Sequence, residues 1–410
     1  MILLISRCPP YPLHLGDRLI PYHLAQQLSA RGHSIDLLAF FNQPGDSSDV
    51  PYYRNLFRSV ELVPEPVRSG ESYIYRLLNS RRQFPQRREE SWSPRMWDAI
   101  ERQLAAETYD IVQLFGGIHV YEYRNLIQRT PNLIVPYESY SLYLERLLKH
   151  QPSFLDKIMI RVQLATARRY ERLMFEGYGG VVVLSDVDRQ ALLKLNSRLL
   201  VHVIPNGVDS TYFTPQAQQP DPATLLFVGN FEYGPNVDAA LWLIREILPV
   251  IQTSIPAVRL LLVGNNPPAS LLALASPNVE ITGRVPDIRP YMDRSTIFIS
   301  PLRLGAGIKN KVLEAMSMQK PLVATPLSCD GISLTEGENV LYGNTSAELV
   351  SAAVRLLQDA RLRDRMAKAN RLFIETYYTW ERVANQYEAL YADLSQAHTK
   401  SHIPSAKSPD

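Results

Sequence analysis

Thr296-Ile297-Phe298-Ile299-Ser300-Pro301-Leu302-Arg303-Leu304-Gly305-Ala306-Gly307-Ile308-Lys309-Asn310-Lys311-Val312-Leu313-Glu314-Ala315-Met316 joins a short apolar run, a loop with two glycines, basic side chains and one helical carboxylate. The opening β-branched and aromatic residues read as a buried strand, and Val312 to Met316 reads as helix, so Gly305 and Gly307 fall at a strand-to-helix turn. Glycine there lets backbone N–H groups approach an anion closely, and the helix start adds unpaired donors and a partial positive charge. Arg303, Lys309 and Lys311 add full charges. Glu314, one to two turns into the helix, could accept hydrogen bonds from ribose or sugar hydroxyls. The combination suits a nucleotide diphosphate. A plainer reading stays open, in which the glycines only make a tight turn and Lys311 and Glu314 form a surface pair three residues apart.

Outward from this turn, β-rich runs recur at Ile2 to Ser6, Ser34 to Phe40, Ile111 to Phe115, Leu133 to Tyr137 and Val181 to Leu184, with helix-like segments between them. The pattern restarts after Asn206-Gly207, with runs at Leu225 to Gly229, Leu260 to Gly264, Val279 to Gly283, Ile297 to Ser300 and Leu322 to Ala324. Strands alternating with helices predict an α/β fold with parallel sheets. Two such halves meet near the polar, proline-rich Thr214-Pro215-Gln216-Ala217-Gln218-Gln219-Pro220-Asp221-Pro222. The expectation is two Rossmann-like domains facing across a cleft, residues 1–205 and 206–377. Ligands of such sheets bind beyond the carboxyl ends of the strands. The polar residues 396–410 read as a disordered tail.

At 410 residues with 46% apolar content, the chain can build two cores. Its formal charge of +2 gives no nucleic-acid signal. Only Cys8 and Cys329 are present, which excludes a disulfide framework and fits a reducing cytoplasm. Met1 to Ser6 has no basic n-region and reads as a strand rather than a signal peptide. No apolar stretch reaches the roughly 18 residues needed to span a bilayer, which leaves attachment to a membrane surface open.

Together with Pro205-Asn206-Gly207-Val208-Asp209 and the closing Glu314-Ala315-Met316, the opening stretch resembles the donor half of the retaining family 4 glycosyltransferases, also called glycosyl transferases group 1. These have the two-domain GT-B fold. The run Val228-Gly229-Asn230-Phe231-Glu232-Tyr233-Gly234-Pro235-Asn236-Val237-Asp238-Ala239-Ala240-Leu241-Trp242 resembles still more closely a bacterial subgroup of sugar transferases associated with exopolysaccharide export. The resemblance extends from the first strand to about Leu394 and is most specific between 203 and 326.

It implies a nucleotide-diphosphate sugar as donor, a saccharide or lipid-linked acceptor, transfer with retention, and no metal or other cofactor. By the same resemblance, Gly229, Asn230, Gly305, Ala306, Gly307, Ile308 and the Gly283-Arg284 backbone surround the donor, with Lys309 and Glu314 central to the chemistry. A helix at 378–395 is implied to return to the first domain. This sequence departs from the family in three places. Many members carry two glutamates with seven residues between them, where this chain has Ala306 and Glu314. Asn230 and Pro235 stand roughly where others carry an arginine and a lysine for the diphosphate.

In the first half, Pro9-Pro10-Tyr11-Pro12-Leu13-His14-Leu15-Gly16-Asp17-Arg18 follows a strand and precedes a helix. Gly16 could let the chain pass close to a ligand and Arg18 could hold an anion, or the loop is mere connection. His119 follows Phe115-Gly116-Gly117-Ile118 at another strand end. The resemblance implies a donor-sugar contact there, although a lone histidine is commonly structural. Glu138, ending the next strand, is a candidate for an acceptor hydroxyl. Ser185-Asp186-Val187-Asp188 matches either an Asp-x-Asp cation site or a helix cap, and the cap fits better. No His/Cys cluster suggests zinc.

Lys157, Arg161, Arg168 and Arg172 share a helical stripe that suits anionic headgroups or is simply a solvated face. Arg81-Arg82-Gln83-Phe84-Pro85-Gln86-Arg87-Arg88 is a second basic segment. Two other functions stay open: a nucleotide-sugar epimerase of the same shape, which needs an acid/base pair at the sugar ring, and a non-catalytic nucleotide-sugar or polysaccharide-binding protein, consistent with Ala306. No Gly-x-Gly-x-x-Gly follows any strand, which argues against a dehydrogenase.

Overall fold

The computed structural model describes residues 1–13, 16–78, 84–150, 153–216, 219–305 and 307–402. Ala306, Arg81 and Arg82 therefore lie outside the described residues. The chain divides into two compact units, Met1–Pro205 with Trp380–Asp410, and Asn206–Thr379.

The first unit holds a seven-stranded sheet: β1 (Ile2–Ser6), β2 (Ile35–Phe41), β3 (Ser59–Pro64), β4 (Ile111–Phe115), β5 (Asn132–Tyr137), β6 (Gly180–Val183) and β7 (Val201–Val203). Its order is β3-β2-β1-β4-β5-β6-β7, and every pairing is parallel. β1 and β4, in the middle, are buried along their whole length, as continuous apolar runs in a sheet covered on both faces must be.

The second unit holds six parallel strands: β8 (Thr224–Val228), β9 (Arg259–Val263), β10 (Val279–Ile281), β11 (Ile297–Ser300), β12 (Leu322–Ala324) and β13 (Leu341–Tyr342), in the order β10-β9-β8-β11-β12-β13. Each unit has its own apolar core, around Leu3, Phe40, Leu114 and Tyr170 in the first and Leu225, Leu260, Ile299 and Val323 in the second. Both are Rossmann-like.

The returning helix begins at Trp380 and runs to His402, so two expected boundaries move. Tyr378 and Thr379 stay with the second unit, where the Val208 N–H donates to the Tyr378 carbonyl. At the other end no glycine or proline interrupts the chain before Pro404, and the helix continues past the expected end at 395. It packs on the helix Gly16–Ala30: Trp380 stacks on His23 at 4.7 Å between centroids, and Arg31 pairs with Glu388. Tyr391 donates to the buried Gln113 of β4.

Candidate active site

In the second unit, the loop after the buried β11 is pinned at its root by hydroxyls from the segment after β12. Ser328 Oγ donates to the Ser300 carbonyl and accepts from Leu302 N–H, while Thr325 Oγ1 donates to the Leu302 carbonyl. The loop then turns through Gly305 (φ 127°) and Gly307 (φ 67°), where only glycine is unstrained. The helix Asn310–Ser317 follows, with Lys309 at its N-cap and no side chain capping it. Val312 N–H turns back to the Lys309 carbonyl at 2.8 Å, and the N–H groups of Asn310 and Lys311 are left for solvent or a ligand.

Lys309 Nζ donates to the Gly307 carbonyl and so closes the turn on itself. Lys311 Nζ lies 4.5 Å from the centroid of Phe227 on β8 and donates to Asn236 Oδ1 at 2.7 Å. Asn236 in turn donates to the Asn230 carbonyl at 2.7 Å. One amide thus ties the lysine to the loop after β8. The fit there is close: a Cβ at Gly229 would stand 2.8 Å from Asn236 Cγ, and one at Gly264 would stand 1.8 Å from the Gly229 carbonyl oxygen. Asn206 Nδ2 donates to Asn310 Oδ1 at 2.7 Å, bringing the Pro-Asn-Gly segment to the same helix start.

Burial pushes the Lys311 ammonium down from 10.5 to about 7, with the Lys309 charge adding to the effect. Burial pushes the Glu314 carboxyl up from 4.5 to about 7 against the pull of Lys311. The Glu314 carboxylate has no hydrogen bond or ion pair among the described residues. A half-buried carboxylate without donors, next to an uncapped helix start and two lysines, is prepared to meet hydroxyls beside an anion.

This preparation costs stability. An acid whose folded pKa exceeds its unfolded value destabilises the fold as pH rises above about 4.5, fully so beyond about 7. Glu314→Gln is therefore expected to raise the melting temperature of the second unit at pH 8 and to leave it unchanged near pH 4. Equal melting at pH 8 would show that the carboxylate is not strained.

Two expected donor residues are committed elsewhere. Arg303 forms a two-pronged pair with Asp238 at 3.0 and 2.7 Å and stacks over Trp242, so its charge is largely answered within the fold. Arg18, in the first unit, is buried at 3% exposure against Asp46 at 2%, 2.8 Å apart, and also donates to the Tyr11 carbonyl. It holds the loop before its helix, and its charge is answered by Asp46 within the fold. Gly16 begins that helix and is exposed, with open space where a Cβ would lie. Arg284 is exposed after Gly283 (φ 70°), and Ile308 is buried.

In the first unit, strand ends and two helices enclose a cavity of about 580 Å³. Arg7 after β1, His119 after β4 and Glu138 after β5 come from the carboxyl ends of the strands; Tyr73, Thr166 and Tyr170 come from the helices Gly70–Leu78 and Phe154–Met174. Gly116 (φ 119°) is required because a Cβ there would stand 2.5 Å from Arg7 Cβ.

His119 Nδ1 lies 3.0 Å from Glu65 Oε1 and 2.9 Å from Arg68, which also donates to the His119 carbonyl. Burial holds the imidazole below its ordinary pKa even though Glu65 pulls the other way. Burial alone would raise Glu65, but the His119 and Asn42 hydrogen bonds and the Arg68 charge hold its carboxyl below the usual range. The ring is thus a neutral group fixed from behind at the cavity wall.

Ser185 caps the helix Asp186–Leu195, its side chain accepting from Asp188 N–H. Asp188 is buried and accepts from Ser139 N–H, so it does not present an Asp-x-Asp pair. Among the described residues no group of three or more His, Cys, Asp or Glu side chains is placed to hold a metal ion.

The residues missed in the sequence are Arg7, which lines the cavity, and three that act through others, Asn236, Glu65 and Arg68. Asn236 had a signal, since it stands in the first turn of the helix that opens with Gly234-Pro235. Glu65 and Arg68 had none, because their role depends on a contact across the sheet.

Two parallel Rossmann-like sheets in sequence, with a helix returning to the first, define a GT-B fold. Two family models match the chain, Glycosyltransferase Family 4 over residues 21–212 and Glycosyl transferases group 1 over residues 222–359. The chain thus carries glycosyltransferase domains of the family 4 and group 1 types. Among solved structures it is similar to sucrose-phosphate synthase from Thermosynechococcus elongatus, with a TM-score of 0.72, 18% identity and coverage of 97% of this chain and 99% of that one. It is also similar to Anabaena HepE in complex with UDP, with a TM-score of 0.67, 16% identity and coverage of 96% and 99%. A Klebsiella pneumoniae relative, an uncharacterized 44.6 kDa protein in a cps region, is 20% identical over 356 residues, 84% of this chain and 87% of that protein.

Proposed function

We propose that this glycosyltransferase moves a sugar from a nucleotide-diphosphate donor to a saccharide or lipid-linked acceptor, with retention of configuration and without a metal, in the synthesis of a cell-surface polysaccharide. The observation that carries the donor assignment is the uncapped helix start at Asn310 with Lys309, Lys311 and Glu314 gathered around it. The two ammonium groups and the helix N–H donors stabilise negative charge growing on the departing diphosphate. Glu314 accepts from ribose hydroxyls. His119, neutral and held by Glu65, donates to or accepts from the donor sugar, and Glu138 receives the acceptor hydroxyl.

With no protein nucleophile assigned, the acceptor attacks from the face the diphosphate leaves, and the departing phosphate takes the acceptor proton. The polysaccharide role is supported by the Klebsiella relative from a cps region, and UDP as the first nucleotide to test by the HepE complex. Cys8 and Cys329, neither in a disulfide, fit a reducing cytoplasm. No helix among the described residues is long and apolar enough to cross a membrane.

Calorimetry with UDP, GDP, dTDP and ADP in the presence of a chelator tests the reading. One nucleotide is expected to bind selectively, and its sugar conjugate to be turned over. Absence of binding by all four would remove the donor assignment. Binding without transfer or hydrolysis would favour the non-catalytic alternative that Ala306 leaves open.

A further inference from the structure

Past its pinned root at Leu302, the donor loop of the second unit runs through Arg303, Gly305 and Gly307 to the helix that starts at Asn310. Two glycines in the left-handed region leave this stretch free to turn, so its position depends on what holds it. The helix Gly234–Trp242 and the residue before it supply three holds. Tyr233, at the N-cap, brings its hydroxyl to 3.8 Å from where a Cβ at Gly305 would stand. Asn236, in the first turn, accepts from Lys311. Asp238 takes the Arg303 guanidinium through Nε and a terminal nitrogen at 3.0 and 2.7 Å, and Trp242, one turn further on, lies against it at 4.5 Å.

Trp242 is itself fixed. Its Nε1–H donates to Glu246 Oε2 at 3.0 Å and to Ser346 Oγ at 2.8 Å, and Ser346 Oγ donates to the same Glu246 oxygen at 2.8 Å. Glu246 comes from the π-helical turn Leu243–Ile247, an irregularity frequent at functional sites. A bracket with a carboxylate on one side and an anchored indole face on the other thus grips the loop two residues before its first glycine. Such a grip does not suit a phosphate ligand. A ligand arginine would have to leave the two-pronged carboxylate and the aromatic face to reach the anion, and the carboxylate beside it would repel that anion.

We infer that Arg303 is the positioning residue of the donor loop: clamped between Asp238 and Trp242, it sets the Gly305–Gly307 turn where the backbone meets the diphosphate, and it does not touch the phosphates itself. This deepens the donor reading above and rests on it.

The signs of two substitutions test it, with UDP affinity read by calorimetry. By charge alone, Arg303→Gln weakens binding of a diphosphate and Asp238→Asn strengthens it. A clamp gives both the same sign: each is expected to weaken UDP binding by about tenfold, and the double variant to be no weaker than either single one, because both break one contact. Arg303→Lys keeps the charge but loses the fork, and is expected to recover little. Uridine, which has no phosphate, should bind all four variants as it binds the parent, read by ligand-observed NMR. Their melting should stay close to the parent's, since a partly exposed pair adds little to stability. Where the parent binds GDP, dTDP or ADP instead, that nucleotide and its nucleoside take the places of UDP and uridine.

Unchanged or tighter UDP binding by Asp238→Asn beside a loss in Arg303→Gln would overturn the inference and make Arg303 a ligand. Full affinity in Arg303→Gln would overturn it too, as would a parallel loss of uridine, which would show damage to the unit as a whole. A parent protein that binds none of the four nucleotides would instead remove the donor reading, and the inference with it.

Discussion

Lys311→Ala is expected to weaken nucleotide-diphosphate binding by about 1.5 to 3 kcal/mol, the usual worth of a charge-assisted hydrogen bond. The side chain is already withdrawn from water over Phe227 and already aimed by Asn236, so little ordering is left to be done when a phosphate arrives. The free lysine titrates near 7, and a bound diphosphate would raise that value, so binding should take up a proton above pH 7. Glu314 works in the opposite sense: hydroxyls bind its charged form, so binding should release a proton below pH 7. Affinity is then greatest near neutrality and falls on both sides. Lys311→Ala should remove the alkaline fall, and Glu314→Gln the acid one. Calorimetry in two buffers of different ionisation enthalpy reads both effects. A Lys311→Ala protein that binds as tightly as the parent at every pH would place the phosphates elsewhere. Asn236→Ala should give a smaller loss, because it frees the lysine without removing its charge.

Arg18→Ala is expected to destabilise the first unit by about 3 to 5 kcal/mol, the cost of leaving a buried charge without its partner. The Asp46 carboxylate would keep only the N–H donors of Asn42 and Gln43, at 3.2 and 3.1 Å. The loop carbonyl of Tyr11 would also lose its donor. Because two units unfold, the loss should be read from the transition of the first unit in urea, with the transition of the second unit as an internal reference. Replacing both partners, Arg18→Met with Asp46→Leu, should recover most of the stability. A ligand-holding arginine would behave in reverse, losing nucleotide binding while the fold stayed as stable as before.

The contrast between Lys311 and Arg18 shows what a sequence can carry. Both are basic residues near a glycine, at the start of a helix that follows a strand. For Lys311 the turn and the helix start are legible within one segment, although the partners that aim it, Phe227 and Asn236, come from β8 and the helix after it. For Arg18 the deciding fact is Asp46, which lies on the far side of β2 and carries no local sign of its importance.

The sheets follow the same rule. β1, β4, β8 and β11 are central, so their apolar runs are continuous and legible. β3 is half-exposed along most of its length and ends in a proline, while β7 and β13 have three and two residues, too short for any period to appear. The glycines expected to end β8, β9 and β10 instead lie just past them, where the chain leaves the sheet. Of the cavity of the first unit, His119 and Glu138 were legible as strand-end residues, but its helix wall was not, since a helix stripe reads as amphipathic whether its apolar face meets a core or a ligand.

The return of the chain at Trp380 has a bearing on how the protein is made. Everything from Asn206 to Thr379 emerges from the ribosome before the helix that completes the first unit, so the later-coded half can fold while the earlier-coded half still waits. Until then the face of the helix Gly16–Ala30 that meets Trp380, and the buried amide of Gln113, are uncovered. A stop codon between 380 and 391 would therefore injure the half of the molecule encoded first and spare the half next to it. A fragment covering 206–379 should be producible alone, whereas one ending at 205 would need the last helix supplied as a separate peptide.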